Sequence, residues 1–265
     1  MASPLKPMTS SAGGGSRLRV LCLHSFRTSS SILKKQMDFS GFAADVADLV
    51  DFDFVDAPHT VPNDKVDARL LDLFGEDEPY REWWNANPAP DGSGDQVYEG
   101  LYDTMKTVRD RTTQFGPYDG ILGFSQGGCL AELMCRSAWA ADGSCAFRFA
   151  VIMCSFACRD ASFKSIYPEA TFDANEVQNS DVPLSVNHTP TLLLAGGRDR
   201  GVPPELTGRL AKALQNSTMI TIPENNHAVP RLRTEQQKES VRKFFEDRLS
   251  EKSASTASAG AAGRM

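Results

Sequence analysis

Gly123-Phe124-Ser125-Gln126-Gly127 sets a serine between glycines at two-residue offsets. A hydroxyl suits attack on a carbonyl when a tight strand-to-helix turn holds it outward. Side chains two residues before and after would collide across such a turn. The pattern alone is weak, since glycine and serine are common residues. Its context gives it weight: an apolar strand pattern over Tyr118–Leu122 precedes it, and a helical pattern over Gln126–Ala140 follows. A helix starting directly behind the serine offers free amides and a positive end to negative charge developing on a bound carbonyl oxygen. An alcohol is a poor nucleophile at neutral pH, so it needs a base and a carboxylate to orient that base. His227, closing the loop Pro223-Glu224-Asn225-Asn226-His227, is the expected base, and Asp199, in the turn Gly196-Gly197-Arg198-Asp199, the expected acid. The chemistry that such a set performs is acyl transfer through a covalent serine intermediate.

Each assignment has a plainer alternative. His227 could be a surface-loop histidine, and Asp199 a solvated turn aspartate. Glu224 competes as the acid but sits three residues before His227 in the same loop, too near to orient the ring from behind. Of the other histidines, His24 reads as structural, bonding its loop backbone. His59 either lines the site or caps a turn, and His188 reads as surface. The oxyanion donors are expected to be the backbone amides of Gln126 and of Phe26, in the loop after the first strand. Trp83, Trp84, Phe124 and Phe156, with Phe26, are the candidate pocket lining, and core packing is the competing use of these aromatics.

These residues need elements to hold them. Arg17–Leu23 reads as a buried first strand, and Ser29 or Ser30 as the cap of a helix from about Ile32. A second helical stretch covers about Phe42–Leu49, and a second strand takes Phe52, Phe54 and Val55. Leu101, Met105, Val108 and Phe115 fall near helical spacing within Glu99–Phe115. Strands follow over Phe147–Cys154, Pro190–Ala195 and Thr218–Ile222, and helices over Pro204–Leu214 and Thr234–Leu249. Strands separated by helices imply a mostly parallel sheet covered on both faces, with ligands beyond the carboxyl ends of the strands. Ser125, Asp199 and His227 all fall there, in the chain order expected of an α/β-hydrolase fold. One domain over residues 17–250 is expected, with an insertion at about 60–96 lying over the sheet. That stretch is broken by Pro62, Pro79, Pro88 and Pro90 and carries Tyr80, Trp83 and Trp84. Residues 1–16 read as a disordered tail and 251–265 as a low-complexity tail.

Composition excludes other classes. A chain of 265 residues with net charge −6 and no basic stripe argues against nucleic acid as partner. No apolar run reaches membrane-spanning length; the longest, around Phe147–Phe156, is interrupted by Arg148. The six cysteines contain no C-x-x-C pair and lie largely in apolar patterns, the usage of reduced cysteines in an intracellular protein. A disulfide framework and a zinc site are therefore not expected. The expected location is cytoplasmic, with organelle targeting by the N-terminal tail left open. No cofactor or metal is expected.

Leu23-His24-Ser25-Phe26, Asp56-Ala57-Pro58-His59, Tyr80-Arg81-Glu82-Trp83-Trp84, Gly123–Gly128, Gly196–Asp199 and His227-Ala228-Val229-Pro230 together give a specific resemblance. The chain resembles the FSH serine hydrolases of the α/β-hydrolase superfamily over nearly all of Arg17 to about Leu249. The resemblance implies Ser125, Asp199 and His227 as a triad hydrolysing esters or thioesters. Ser25 departs from the glycine usual after the histidine, and Asn225-Asn226 from the glycine pair that often precedes the second one. A hydrolase-fold ligand receptor with little turnover is the alternative of a different class, and a peptidase the rival among enzymes.

Overall fold

The computed structural model describes residues 17–93, 95–167 and 185–262. The tail expected over 1–16 lies outside the described residues. In chain order the elements are β1 (Leu18–Leu23), α1 (Ser30–Ser40), α2 (Phe42–Asp45), β2 (Val50–Val55), β3 (His59–Thr60), α3 (Ala68–Phe74), β4 (Arg81–Glu82), β5 (Asn85–Pro88), β6 (Gln96–Glu99) and α4 (Leu101–Phe115). There follow β7 (Gly120–Phe124), α5 (Gln126–Asp142), β8 (Phe149–Met153), β9 (Thr191–Gly196), α6 (Pro204–Ala213), β10 (Ser217–Ile222) and α7 (Glu235–Ala262).

Six strands form one parallel sheet in the order β10-β9-β8-β7-β1-β2. Their side chains alternate between two cores. Leu21, Leu23, Ile121, Ile152 and Leu193 face α4, α5 and α6. Val20, Cys22, Leu122, Val151 and Leu194 face the layer that holds Leu33 and Met37 of α1 and Val241 and Phe245 of α7. A sheet buried on both faces needs unbroken apolar strands, and β7, β8 and β9 are buried at every residue. The register pairs Leu23 with Val55 and Gly123, Phe124 with Met153, and Gly196 with Ile222. The carboxyl ends of the strands therefore finish close together, and the loops after β1, β7, β9 and β10 emerge at one edge.

Several boundaries differ from expectation. The strand before Ser125 runs Gly120–Phe124, not Tyr118–Leu122, so it leads straight into that residue. The helix expected over Phe42–Leu49 stops at Asp45, because Val46 leaves helical backbone at φ −129° and the chain turns into β2 from Val50. The insertion expected at about 60–96 holds α3, the β3–β4 pairing and the β5–β6 hairpin. The stretch from residue 251, expected as a tail, continues α7 to Ala262. Lys252 is the physical reason at its start: its ammonium donates to Asp119 Oδ2 at 2.8 Å and to the Arg17 carbonyl at 3.0 Å, tying the helix to the sheet.

α5 follows directly on Ser125, and a buried ionic network holds its middle. Arg136 Nε donates to Glu132 Oε1 at 2.8 Å, with both side chains essentially inaccessible. Tyr167 Oη donates to Glu132, Asn187 Nδ2 donates to it at 3.3 Å, and Arg136 Nη1 donates to the Ile166 carbonyl at 2.8 Å. Removing one partner of such a pair leaves the other charge buried. Glu132→Ala is expected to cost about 3–5 kcal/mol in urea unfolding. An exposed pair on another helix, Lys106–Asp110, should change by under about 1 kcal/mol when Asp110 becomes alanine.

Candidate active site

Ser125 has φ 54° and ψ −116°, left-handed backbone that a residue with a Cβ rarely adopts. The surroundings over-determine it. Ser125 N donates to the Met153 carbonyl at 2.9 Å, and the Ser125 carbonyl accepts from Gly128 N at 2.9 Å, Cys129 N at 3.1 Å and Ser155 Oγ at 2.7 Å. The two flanking glycines serve different contacts. A Cβ at Gly123 would lie 2.0 Å from the Gly127 carbonyl oxygen, across the turn. A Cβ at Gly127 would lie 2.2 Å from the Leu23 carbonyl oxygen, on neighbouring β1. Glycine is thus required for helix–strand approach as well as for the turn.

His227 Nε2 lies 3.0 Å from Ser125 Oγ, and His227 Nδ1 lies 2.7 Å from Asp199 Oδ2. Asp199 Oδ1 accepts from Gly201 N at 2.8 Å and Val202 N at 2.7 Å, which fixes the carboxylate in a buried turn. An ionised acid facing Nδ1 keeps the ring proton there and leaves Nε2 free to accept from the serine hydroxyl. Glu224 points elsewhere: its carboxylate pairs with Arg198 Nη2 at 2.7 Å on an exposed surface. The loop carrying His227 is braced by Asn225, whose Nδ2 donates to the Asn226 and Ala228 carbonyls, both at 2.9 Å, and whose Oδ1 accepts from Arg231 N at 3.3 Å.

The amides of Phe26 and Gln126 have no acceptor among the described residues. Gln126 is the first residue of α5, where an amide has no partner within the helix. The Gln126 side chain does a second job. Its Oε1 accepts from Trp83 N at 3.1 Å and its Nε2 donates to the Trp84 carbonyl at 2.9 Å. Trp83 Nε1 in turn donates to the His24 carbonyl at 2.7 Å, two residues before Phe26.

The candidate pocket residues divide. Trp83 and Trp84 are 0% and 2% exposed and sit in the core, with Trp84 stacked on Tyr98 at 4.8 Å. Of the two uses weighed for these aromatics, the packing one is what their surroundings show: Trp84 packs against Tyr98, and Trp83 donates its indole N–H to the His24 loop. Phe124 is also buried, and its ring lies 5.2 Å from that of His227, a shelf beneath the imidazole rather than an open wall. Phe156 is half-buried beneath the Arg159 guanidinium, 4.7 Å from its ring centroid. Phe26 is 38% exposed. Of the remaining histidines, His59 Nε2 contacts the Gly100 carbonyl at 3.0 Å and steadies the start of α4, and His188 is exposed.

Cys154 and Asn225 were not singled out in the sequence as site residues. Cys154 has left-handed backbone at φ 46°, is fully buried, and its thiol lies against the Asp199 carboxylate and 3.7 Å from the Ala228 carbonyl. Burial first, and then the Asp199 charge, push its thiol up to about 12, so it stays neutral beside the acid. Nothing in the sequence marks a cysteine at a strand end for this place. Asn225 carried a signal, as a residue that tolerates unusual backbone next to His227.

His24 is the support beneath the Phe26 loop. Its Nε2 accepts from Ala57 N at 3.0 Å, so its proton sits on Nδ1, 2.8 Å from the Ser25 carbonyl. Burial lowers its pKa from 6.5 to about 4. The unfolded chain then binds a proton that the folded one refuses between those values, so stability is lost as pH falls through that window. The loss between pH 7 and pH 5 should reach about 2 kcal/mol, and His24→Gln should flatten the pH slope of denaturant midpoints over the same range.

Residues 12–239 match the serine hydrolase (FSH1) family. Esterase CG5412 of Drosophila melanogaster is 31% identical over 89% of this chain and 76% of its own length. Human esterase OVCA2 is 29% identical over 80% of this chain and 89% of its own length. Among solved structures, acyl-protein thioesterase 2 of Zea mays superposes with a TM-score of 0.54 at 16% identity, over 91% of this chain and 97% of that one, which shows a shared α/β-hydrolase fold. With its parallel six-stranded sheet and these relatives, the chain belongs to the FSH1 serine hydrolase family of α/β-hydrolase enzymes.

Proposed function

We propose that this hydrolase cleaves carboxylic esters, and thioesters by the same route, that carry an apolar acyl group, through Ser125, His227 and Asp199. One observation carries the reading: His227 bridges Ser125 Oγ and the buried Asp199 carboxylate at 3.0 and 2.7 Å. Ser125 Oγ attacks the substrate carbonyl carbon while His227 Nε2 takes its proton. The carbonyl oxygen becomes an oxyanion facing the Phe26 and Gln126 amides. His227 then protonates the leaving alcohol or thiol as its bond to the acyl carbon breaks. Water, deprotonated by the same nitrogen, attacks the acyl-enzyme and frees Ser125. Asp199 holds the ring tautomer and stabilises the imidazolium throughout. No metal or cofactor enters these steps.

An ester-sized molecule is the partner in this reading, and nucleic acid is not. Among the described residues no helix is long and apolar enough to cross a membrane. All six cysteines are free, five of them buried, which supports a reducing compartment such as the cytoplasm.

A fluorophosphonate should label wild type on Ser125, and Ser125→Ala should abolish both labelling and turnover of p-nitrophenyl esters. Sustained turnover beyond one equivalent separates an enzyme from a ligand receptor with a reactive serine. Asp199→Asn should lower kcat by about 10⁴, as expected when the ring loses its orienting carboxylate. Glu224→Gln, breaking only a surface pair, should stay within about tenfold. Circular dichroism should show both variants folded; an active Asp199→Asn beside an inactive Glu224→Gln would reverse the assignment of the acid.

A further inference from the structure

The two amides read as oxyanion donors come from different parts of the chain, Phe26 after β1 and Gln126 at the start of α5. Both must point at one oxygen, so their separation has to be held to within about 0.5 Å. We propose that Trp83, in the insertion between β4 and β5, is the positioning residue for this pair. It ties the Phe26 loop to α5 through its indole N–H and its backbone N–H. The proposal rests on Ser125 being the nucleophile and on Phe26 and Gln126 being the oxyanion donors.

The direction of the Phe26 amide is set inside its own loop. The Ser25–Phe26 peptide is planar, so its carbonyl and its N–H point opposite ways. The Ser25 carbonyl accepts from His24 Nδ1 and from Thr28 Oγ1, both at 2.8 Å and both from buried residues. Two donors on one oxygen fix the plane of that peptide, and with it the aim of the Phe26 N–H. These bonds set the direction of the amide and not its distance from α5.

The distance is set from two sides. A Cβ at Gly127 would lie 2.5 Å from the His24 carbonyl oxygen, so bare backbone fixes how near α5 comes. Trp83 Nε1 donates to that same carbonyl at 2.7 Å. At its other end, Trp83 N donates to Gln126 Oε1 at 3.1 Å, and Gln126 Nε2 donates to the Trp84 carbonyl at 2.9 Å. Thr104 Oγ1 of α4 donates to the Trp83 carbonyl and holds the residue from behind. Trp83 thus touches the loop two residues before Phe26 and the side chain of Gln126, whose own amide is the second donor. Trp83, His24 and Thr104 are inaccessible to solvent, so these bonds form without competition from water. The indole packs beside the His24 ring, with centroids 4.9 Å apart. A rigid ring with two side-chain torsions holds a distance better than a long flexible donor. Trp83 acts through the two donors and touches no reacting atom.

The test separates positioning from packing. Trp83→Phe keeps a buried ring and removes the indole N–H. Active sites are counted by end-point titration with a fluorophosphonate, and kcat is taken per site. For p-nitrophenyl acetate, Trp83→Phe should lower kcat about ten- to hundredfold and leave KM within about threefold, because the oxyanion forms only in the transition state. An aryl trifluoromethyl ketone, which forms a tetrahedral oxyanion on the serine, should lose affinity by the same factor as kcat/KM. Gln126→Met, which removes both side-chain hydrogen bonds at the other end, should give the same split and serves if Trp83→Phe does not fold. Trp84→Phe changes a similarly buried indole but leaves its carbonyl on Gln126, and should keep kcat within about threefold. Unchanged kcat per site and ketone affinity in Trp83→Phe, whatever its melting temperature, would overturn the proposal and leave Trp83 as packing. A raised KM at unchanged kcat would overturn it in favour of a substrate contact. An equal loss in Trp84→Phe would overturn it as a general effect of disturbing the insertion. The underlying reading fails separately: wild type would then bind the trifluoromethyl ketone no more tightly than the matching methyl ketone, or Ser125→Ala would still turn over the ester.

Discussion

The contact on which the site depends is the approach of the α5 start to the ends of β7 and β1, closer than any side chain allows. Gly127 lies against the Leu23 carbonyl, and Gly123 against the Gly127 carbonyl. That closeness puts Ser125 into left-handed backbone, at a cost of about 1–3 kcal/mol for a residue of this kind. Four backbone and hydroxyl hydrogen bonds to Ser125, and the burial of the first half of α5, keep it there. With the serine so placed, the free amide of Gln126 and the loop after β1 are brought to the same point by the register of the parallel strands. The backbone strain at Ser125 is therefore held by contacts from β1, β7, β8 and the first turn of α5 together.

The start of α5 and the Phe26 loop are held by an indirect chain of hydrogen bonds. Gln126 grips both peptide faces of the Trp83–Trp84 pair, Trp83 grips the His24 carbonyl, and His24 grips Ala57 N and its own loop. Every group in the chain is buried, so each partner is needed to avoid an unsatisfied polar atom in a medium of low polarity. The insertion is thus fastened to the start of α5 at its tryptophans, while its part around α3 rests on a small separate core.

Much of this was legible in the sequence because it is local. Strand runs, the glycines around Ser125, and the positions of Asp199 and His227 at strand ends all follow from period, turn chemistry and chain order. Long-range packing was not legible. Trp83 and Trp84 look the same on paper whether they line a cavity or fill a core, and only the position of Gln126 and Tyr98 in space decides it. Cys154 gave no signal, since its role comes from lying beneath two loops distant in sequence. The length of α7 was not legible for a related reason: the helix reads to Leu249 with a low-complexity tail after it, yet alanine is a strong helix former and Lys252 finds Asp119 across more than a hundred residues.

Lys252 also donates to the Arg17 carbonyl, immediately before β1. The two outer parts of the described chain thus meet at the amino-terminal edge of the sheet, opposite the edge that holds Ser125. A short linker between them would allow a circular permutant with new ends in a surface turn such as the one at Gly143, keeping the sheet order and leaving the serine, histidine and aspartate loops uncut.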